Sequence, residues 1–97
     1  MQVVWTPQAE KDLEAIEDYF LKVAPDFTEI IVDEIQSRVK QLENFPQIGR
    51  MVPDIYDHNI REILYRNYRI VYYLPETETD PIEIITVFHS SKQFGEI

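Results

Sequence analysis

Cysteine is absent from this chain of 97 residues. That excludes a disulfide framework and any thiolate nucleophile or thiolate metal site, and it suits a reducing compartment. No apolar run approaches the roughly 20 residues needed to cross a bilayer, and the opening MQVVWTPQAE lacks the pattern of a signal peptide. The expectation is a cytoplasmic protein that does not enter a membrane. Positive charge is scarce: nine Lys and Arg against 18 Asp and Glu give a net charge of −9. That balance argues against a broad, nonspecific grip on nucleic acid. Histidine is scarce as well. His58 stands beside Asp57, and neither it nor His89 has a second histidine at ligand spacing, so no metal site and no cofactor are expected. No repeat or shift in composition divides the chain, and its length suits a single domain over residues 1–97.

The charge that is present is unevenly placed. Residues 1–35 carry two basic and nine acidic side chains, a net −7. Residues 36–69 carry six basic and four acidic, a net +2, and residues 70–97 return to −4. An anionic partner should meet the central third.

Periodicity supplies the elements. Gln2 to Trp5 reads as a short strand. Thr6-Pro7 is a helix start, a hydroxyl cap followed by proline where its missing N–H costs nothing. Ala9, Leu13, Ile16, Phe20 and Val23 then form one helical stripe to about Ala24, leaving Glu10, Asp12, Glu14, Glu17 and Asp18 on a solvated face. Pro25-Asp26 opens a second helix with a stripe of Phe27, Ile31, Ile35, Val39, Leu42 and Phe45, ended by Pro46. Two helices joined so closely form an antiparallel hairpin. Gln47 to Asp54 reads as a loop. The period then changes to two: Asn59–Tyr65 and Tyr68–Leu74 are strands around an Arg66-Asn67 turn, where asparagine tolerates a positive φ. PETETDP is a solvated loop, Ile82–His89 a last strand, and SSKQFGEI a short tail. The predicted fold class is α+β in the order β-α-α-β-β-β, with the helical hairpin on one face of a mainly antiparallel four-stranded sheet.

Strand alternation raises a question about arginine. Tyr68, Ile70, Tyr72 and Leu74 share one face, and Arg69, Val71 and Tyr73 the other. In the last strand Glu83, Ile85, Val87 and His89 share a face, against Ile82, Ile84, Thr86 and Phe88. The helices can cover only one face. The other is expected to be open, carrying arginine and tyrosine, the residue types that dominate binding hot spots. The bland alternative pairs Arg61 with Glu62 or Glu83, and Arg69 with a nearby carboxylate; such pairs, when exposed, contribute only about 0.2–1 kcal/mol. Trp5, Tyr72 and Tyr73 read as packing residues.

These residues carry a resemblance. VVWTPQAEKDLEAIEDYF, LENFPQIGRMVPD, the IREI strand and above all YRIVYYLP followed by IEIITVFHSS resemble the RelE/ParE family of bacterial toxins over nearly the whole chain. The resemblance implies a toxin of a type II toxin–antitoxin pair, held inactive by a cognate antitoxin, alone as a possible homodimer or in a toxin–antitoxin hetero-oligomer. RelE-type members cut mRNA on the ribosome; ParE-type members bind DNA gyrase.

RNA cleavage needs a base, an acid and cations around one phosphate. By resemblance, a nuclease would use Arg69, Asp54 after Pro53, and His89. The nuclease pattern ends in histidine-tyrosine, whereas this sequence reads H-S-S-K. The family's strand lysines are replaced by Ile60 and Glu62, and a glutamate there would repel the phosphate. The reading is therefore ParE-like, with Arg50, Arg61, Arg66, Arg69, Tyr73 and His89 as candidate target- or partner-binding residues. The alternative is a RelE-like ribonuclease acting on ribosome-bound mRNA. The antitoxin is expected to dock as an amphipathic helix beside the hairpin or as an added strand. The acidic first helix implies basic residues on it.

Overall fold

Thr6 joins the first strand to the first helix and ties both to the far end of the sequence. Its hydroxyl accepts from the Ala9 N–H at 3.2 Å, capping the helix, and donates to the Ile84 carbonyl at 2.7 Å. The computed structural model describes residues 1–92. The elements are β1 (Val3–Trp5), α1 (Pro7–Val23), α2 (Pro25–Lys40), a 3-10 turn (Gln41–Glu43), β2 (Arg50–Met51), β3 (Ile60–Tyr65), β4 (Tyr68–Tyr73) and β5 (Ile82–His89). The expected tail beyond Lys92 lies outside the described residues.

One residue, Ala24, separates the helices. Its N–H closes the last turn of α1 on the Phe20 carbonyl, and its own carbonyl accepts from Phe27. With Pro25 at the first position of α2, the chain can only reverse, so the helices run antiparallel. Their facing stripes and the sheet form the main core. Ala9, Ile35, Leu42, Ile70, Tyr72, Ile82 and Ile84 have no exposed surface. Each large side chain among them contributes about 1.5–3 kcal/mol by leaving water. The stripes run out at the hairpin tip and after the 3-10 turn, where Val23, Phe27 and Phe45 stay more than half exposed.

The sheet has five strands in the order β1-β5-β4-β3-β2. β1 runs parallel to β5, and the remaining pairs are antiparallel. The strand missing from the sequence reading is β2, two residues that pair Arg50 with Glu62 and Met51 with Arg61. Two residues are too few to show a period, so the segment read as loop.

Three further expectations are corrected. In the turn, Arg66 and not Asn67 takes the positive φ, at 49°. Asn67 is fixed because its carbonyl accepts from the Ser90 N–H at 2.6 Å. Arg66 is held by its side chain, whose Nε donates to the Tyr65 hydroxyl at 2.9 Å. In β5, the pairing skips Ile85, so Val87 joins Ile82 and Ile84 on the helix side and Phe88 joins Ile85 on the other. One inserted residue reverses every later side chain. Most important, the second face is not open. Val52, Val71 and Phe88 are buried there, with Ile55, Ile60 and Ile85 packed around them. The segment after β2 folds back over the sheet and covers the part around Val71 and Phe88, while Leu64 on the same face stays exposed.

Gly49 sits where β2 begins, and a Cβ there would lie 2.6 Å from the Tyr72 hydroxyl and 2.8 Å from the Glu62 carbonyl. The substitution Gly49→Ala is therefore expected to cost about 1–3 kcal/mol by overpacking. Urea unfolding should show a lower midpoint at unchanged slope.

Candidate functional site

Two arginines of the central segment, Arg50 and Arg69, converge on a single carboxylate. Glu62, on the face away from the helices, has a side chain with no exposed surface. Arg50 Nε donates to its Oε2 at 2.8 Å from β2, and Arg69 Nε to its Oε1 at 2.6 Å from β4. The Arg69 side chain is only 11% exposed, while that of Arg50 is 57% exposed. Arg69 also lies 5.1 Å from the centre of the Phe88 ring. A buried carboxylate is tolerated only with such charge-assisted partners. Arg69 is thus neutralised inside the fold, as the bland alternative had it. The Glu62 carboxylate points at these two guanidiniums and not at solvent.

Arg61 points to the opposite side, where its Nη1 donates to the Gly49 carbonyl at 3.1 Å. Its Nε is buried and has no partner among the described residues. Beside it, the Tyr72 hydroxyl accepts from the Gly49 N–H at 3.0 Å and donates to the Pro46 carbonyl at 2.8 Å. Burial pushes the Tyr72 phenol above 10.0, opposed by the Gly49 hydrogen bond and by Arg61. Burial also raises Tyr68, with Tyr19 adding to it.

The remaining candidates are dispersed. Arg66 caps the β3–β4 turn, 54% exposed, 3.6 Å from Glu34 and over the Tyr65 ring. The Tyr65 hydroxyl donates to Glu34. Tyr73 is half-buried on the partly covered face, and Asp54 is exposed in the covering segment. His89 lies at the end of β5 opposite Tyr68, their rings edge to face at 5.6 Å. Its Nδ1 accepts from the Ser91 N–H at 3.1 Å. Arg69 pairs with Phe88 and Tyr68 with His89, so Arg69 and His89 project from opposite faces. Among the described residues no group of three His, Asp or Glu side chains is placed to hold a metal ion.

Two structural roles were not anticipated. Glu62 in I-R-E-I was the signal for the buried pair, since an acidic residue flanked by strand arginines needs a partner. Asp12 is not merely solvated: it accepts from the Thr86 hydroxyl and, at 3.0 Å, from the Val87 N–H. That bond satisfies the edge of β5 beyond the short β1, and the sequence of α1 carried no sign of it.

Residues 3–94 match the family described as ParE toxin of type II toxin-antitoxin system, parDE. No curated protein matches the sequence. Among solved structures, the chain is similar to one from the chromosomal ParDE system of P. aeruginosa. That match has a TM-score of 0.73 and 24% identity, over 92% of this chain and 95% of that one. It is also similar to a chain of the RelBE2 toxin–antitoxin complex from Mycobacterium tuberculosis, with a TM-score of 0.65 and 19% identity, over 91% of this chain and 95% of that one.

The substitution Glu62→Gln leaves Arg69 buried without its counter-charge and is expected to cost about 3 kcal/mol in urea unfolding. The double substitution E62L/R69M removes both charges and should recover most of that loss. Because the Tyr72 pKa is raised in the fold, the unfolded chain loses this proton first as pH rises. Stability is then complete below pH 10.0 and declines above it. Thermal melts should show Tyr72→Phe to be less stable at neutral pH, by about 1–3 kcal/mol for two stranded backbone groups. The variant should also show a shallower alkaline decline, with Tyr68 still contributing.

Proposed function

The chain belongs to the ParE toxin family of type II toxin–antitoxin systems, and from that premise we propose that it is a ParE-like toxin that works by binding. Its target is DNA gyrase, its restraint is a cognate antitoxin, and its place of action is the bacterial cytoplasm. The observation that carries this reading is the position of Arg69. A cation that stabilises a phosphorane must reach the phosphate, together with a base and an acid. Here Arg69 is committed to Glu62 at 2.6 Å, is 11% exposed, and lies across the sheet from His89. The three residues a nuclease would use do not surround one space.

Charge supports the same reading. At a net −9 the molecule is poorly suited to dock into dense ribosomal RNA. Among the exposed guanidiniums, Arg50 and Arg66 stand at the β2 edge and at the β3–β4 turn, near exposed Met51 and Leu64. Arginine beside apolar surface is a common composition for a protein-binding hot spot. An antitoxin is supported by the similar structures, both of which come from toxin–antitoxin systems. No helix is long and apolar enough to cross a membrane among the described residues.

The purified protein is expected to block or poison supercoiling by gyrase and to leave ribosome-bound mRNA intact. The double variant R50A/R66A should weaken that inhibition at least tenfold while still unfolding cooperatively. Cleavage of ribosome-bound mRNA with gyrase unaffected would overturn the proposal in favour of a RelE-like ribonuclease.

A further inference from the structure

Among the described residues, three surface concavities differ in what lines them. The one between β1 and the helices is rimmed by Glu10, Glu14 and Glu17. The one at Phe45–Ile48 is formed by a single continuous stretch without a titratable side chain. The third, of about 630 Å³, is assembled from parts of the chain that only the fold brings together. The end of α1 supplies Tyr19, Phe20 and Val23; the β3–β4 turn and the start of β4 supply Asn67 and Tyr68; the end of β5 and the turn after it supply His89 and Lys92. In a chain with 18 acidic residues, no carboxylate is among these residues and one lysine is. A smaller adjoining hollow shares Tyr19, Tyr68, His89 and Lys92 and adds Asp12. Asp12 is already engaged, accepting from the Thr86 hydroxyl and the Val87 N–H.

The polar groups on this wall are rich in donors. Nδ1 of His89 accepts from the Ser91 N–H at 3.1 Å, so the ring proton sits on Nε2, which is left to donate. Burial, with Tyr19 adding to it, holds the Tyr68 phenol above 10.0, so its hydroxyl keeps its proton through neutral pH. The hydroxyls of Tyr19 and Tyr68 and the side-chain amide of Asn67 make no hydrogen bond among the described residues. The rings stand in perpendicular pairs, Tyr68 with His89 at 5.6 Å and Tyr19 with Phe20 at 5.2 Å. Each pair offers a further flat ring both a face and an edge to pack on. A volume in the range of roughly 300–1,000 Å³, an aromatic lining and a few convergent polar groups mark a small-molecule site.

We propose that this concavity binds a small aromatic anion. Its flat ring packs against the Tyr19–Phe20 and Tyr68–His89 pairs, and its carboxylate or phosphate meets Lys92 and the Nε2 N–H of His89. These groups are distinct from Arg50 and Arg66, so the gyrase assay and a ligand titration succeed or fail independently.

Four probes separate ring from charge: phenyl phosphate, phenylacetate, phenylacetamide and inorganic phosphate. Titrations of the full chain are followed by the NMR ring resonances of His89 and Tyr68, with His58 as the internal reference. At least one of the two ring-bearing anions should bind ten times more tightly than phenylacetamide and inorganic phosphate, and the tighter of the two identifies the anion. Binding should shift His89 and Tyr68 and leave His58 unmoved. The dissociation constant should rise at least fivefold in Lys92→Gln, recover in Lys92→Arg, and change less than twofold in Lys11→Gln, which removes equal charge elsewhere. Phenylacetamide binding as tightly as the anions would overturn the proposal by reducing the site to an apolar patch. Inorganic phosphate binding equally well would reduce it to surface charge. A chain lacking residues 93–97 that binds ten times more tightly than the full chain would make its own end the occupant, and would overturn it as well.

Discussion

A carboxylate without access to solvent is stable only while cations reach it, and the edge of this sheet is organised around that requirement. Glu62 holds Arg50 of β2 and Arg69 of β4 on its two oxygens at 2.8 and 2.6 Å. The pair of bonds connects three strands on one face. Removal of Glu62 or Arg69 alone leaves the other buried without its counter-charge, a cost of several kcal/mol. This explains why a chain with nine basic residues spends two of them between apolar strand residues. It also explains why a strand as short as β2 pairs at all, since the Arg50 side chain reinforces a two-residue ladder.

The same arrangement closes the face on which a target surface was expected. Once β2 is fixed, the following segment runs back over Val71 and Phe88, carrying Val52 and Ile55 into contact with them. Arg69 becomes internal, and the exposed charge lies at the margins. One margin is basic, with Arg50 and Arg66 at the β2 edge and the β3–β4 turn. The other is acidic, with Glu10, Glu14 and Glu17 beside Trp5. A small domain with two margins of opposite sign can engage two unlike partners without one displacing the groups used by the other.

The family follows from motifs spread along the chain, and so does the α+β order. Thr6-Pro7, the stripe from Ala9 to Phe20, Pro25 and the alternation in Y-R-I-V-Y-Y each encode local structure, because capping, 3.6-residue spacing and period two depend on neighbours in sequence. Every helix and all but one strand were legible for that reason. β2 was not legible, being a strand only by virtue of its pairing with β3. The exchange of Val87 and Phe88 between faces was hidden as well, since a bulge at Ile85 depends on how β4 and β5 meet. At the candidate site, the residues were legible and their roles were not. Arg69 stands out in the sequence as a charge among strand residues, yet whether it faces a phosphate or Glu62 depends on contacts seven residues apart in sequence and across two strands.

The sequence by itself therefore determined the helices and every strand but β2, their order, the family and the uneven charge, all of which are written in local spacing and composition. Only the tertiary structure decided which charges remain available to a partner. Burial is a property of position in three dimensions: it took Arg69 and Glu62 out of reach of any partner and left Glu10, Glu14 and Glu17 facing water.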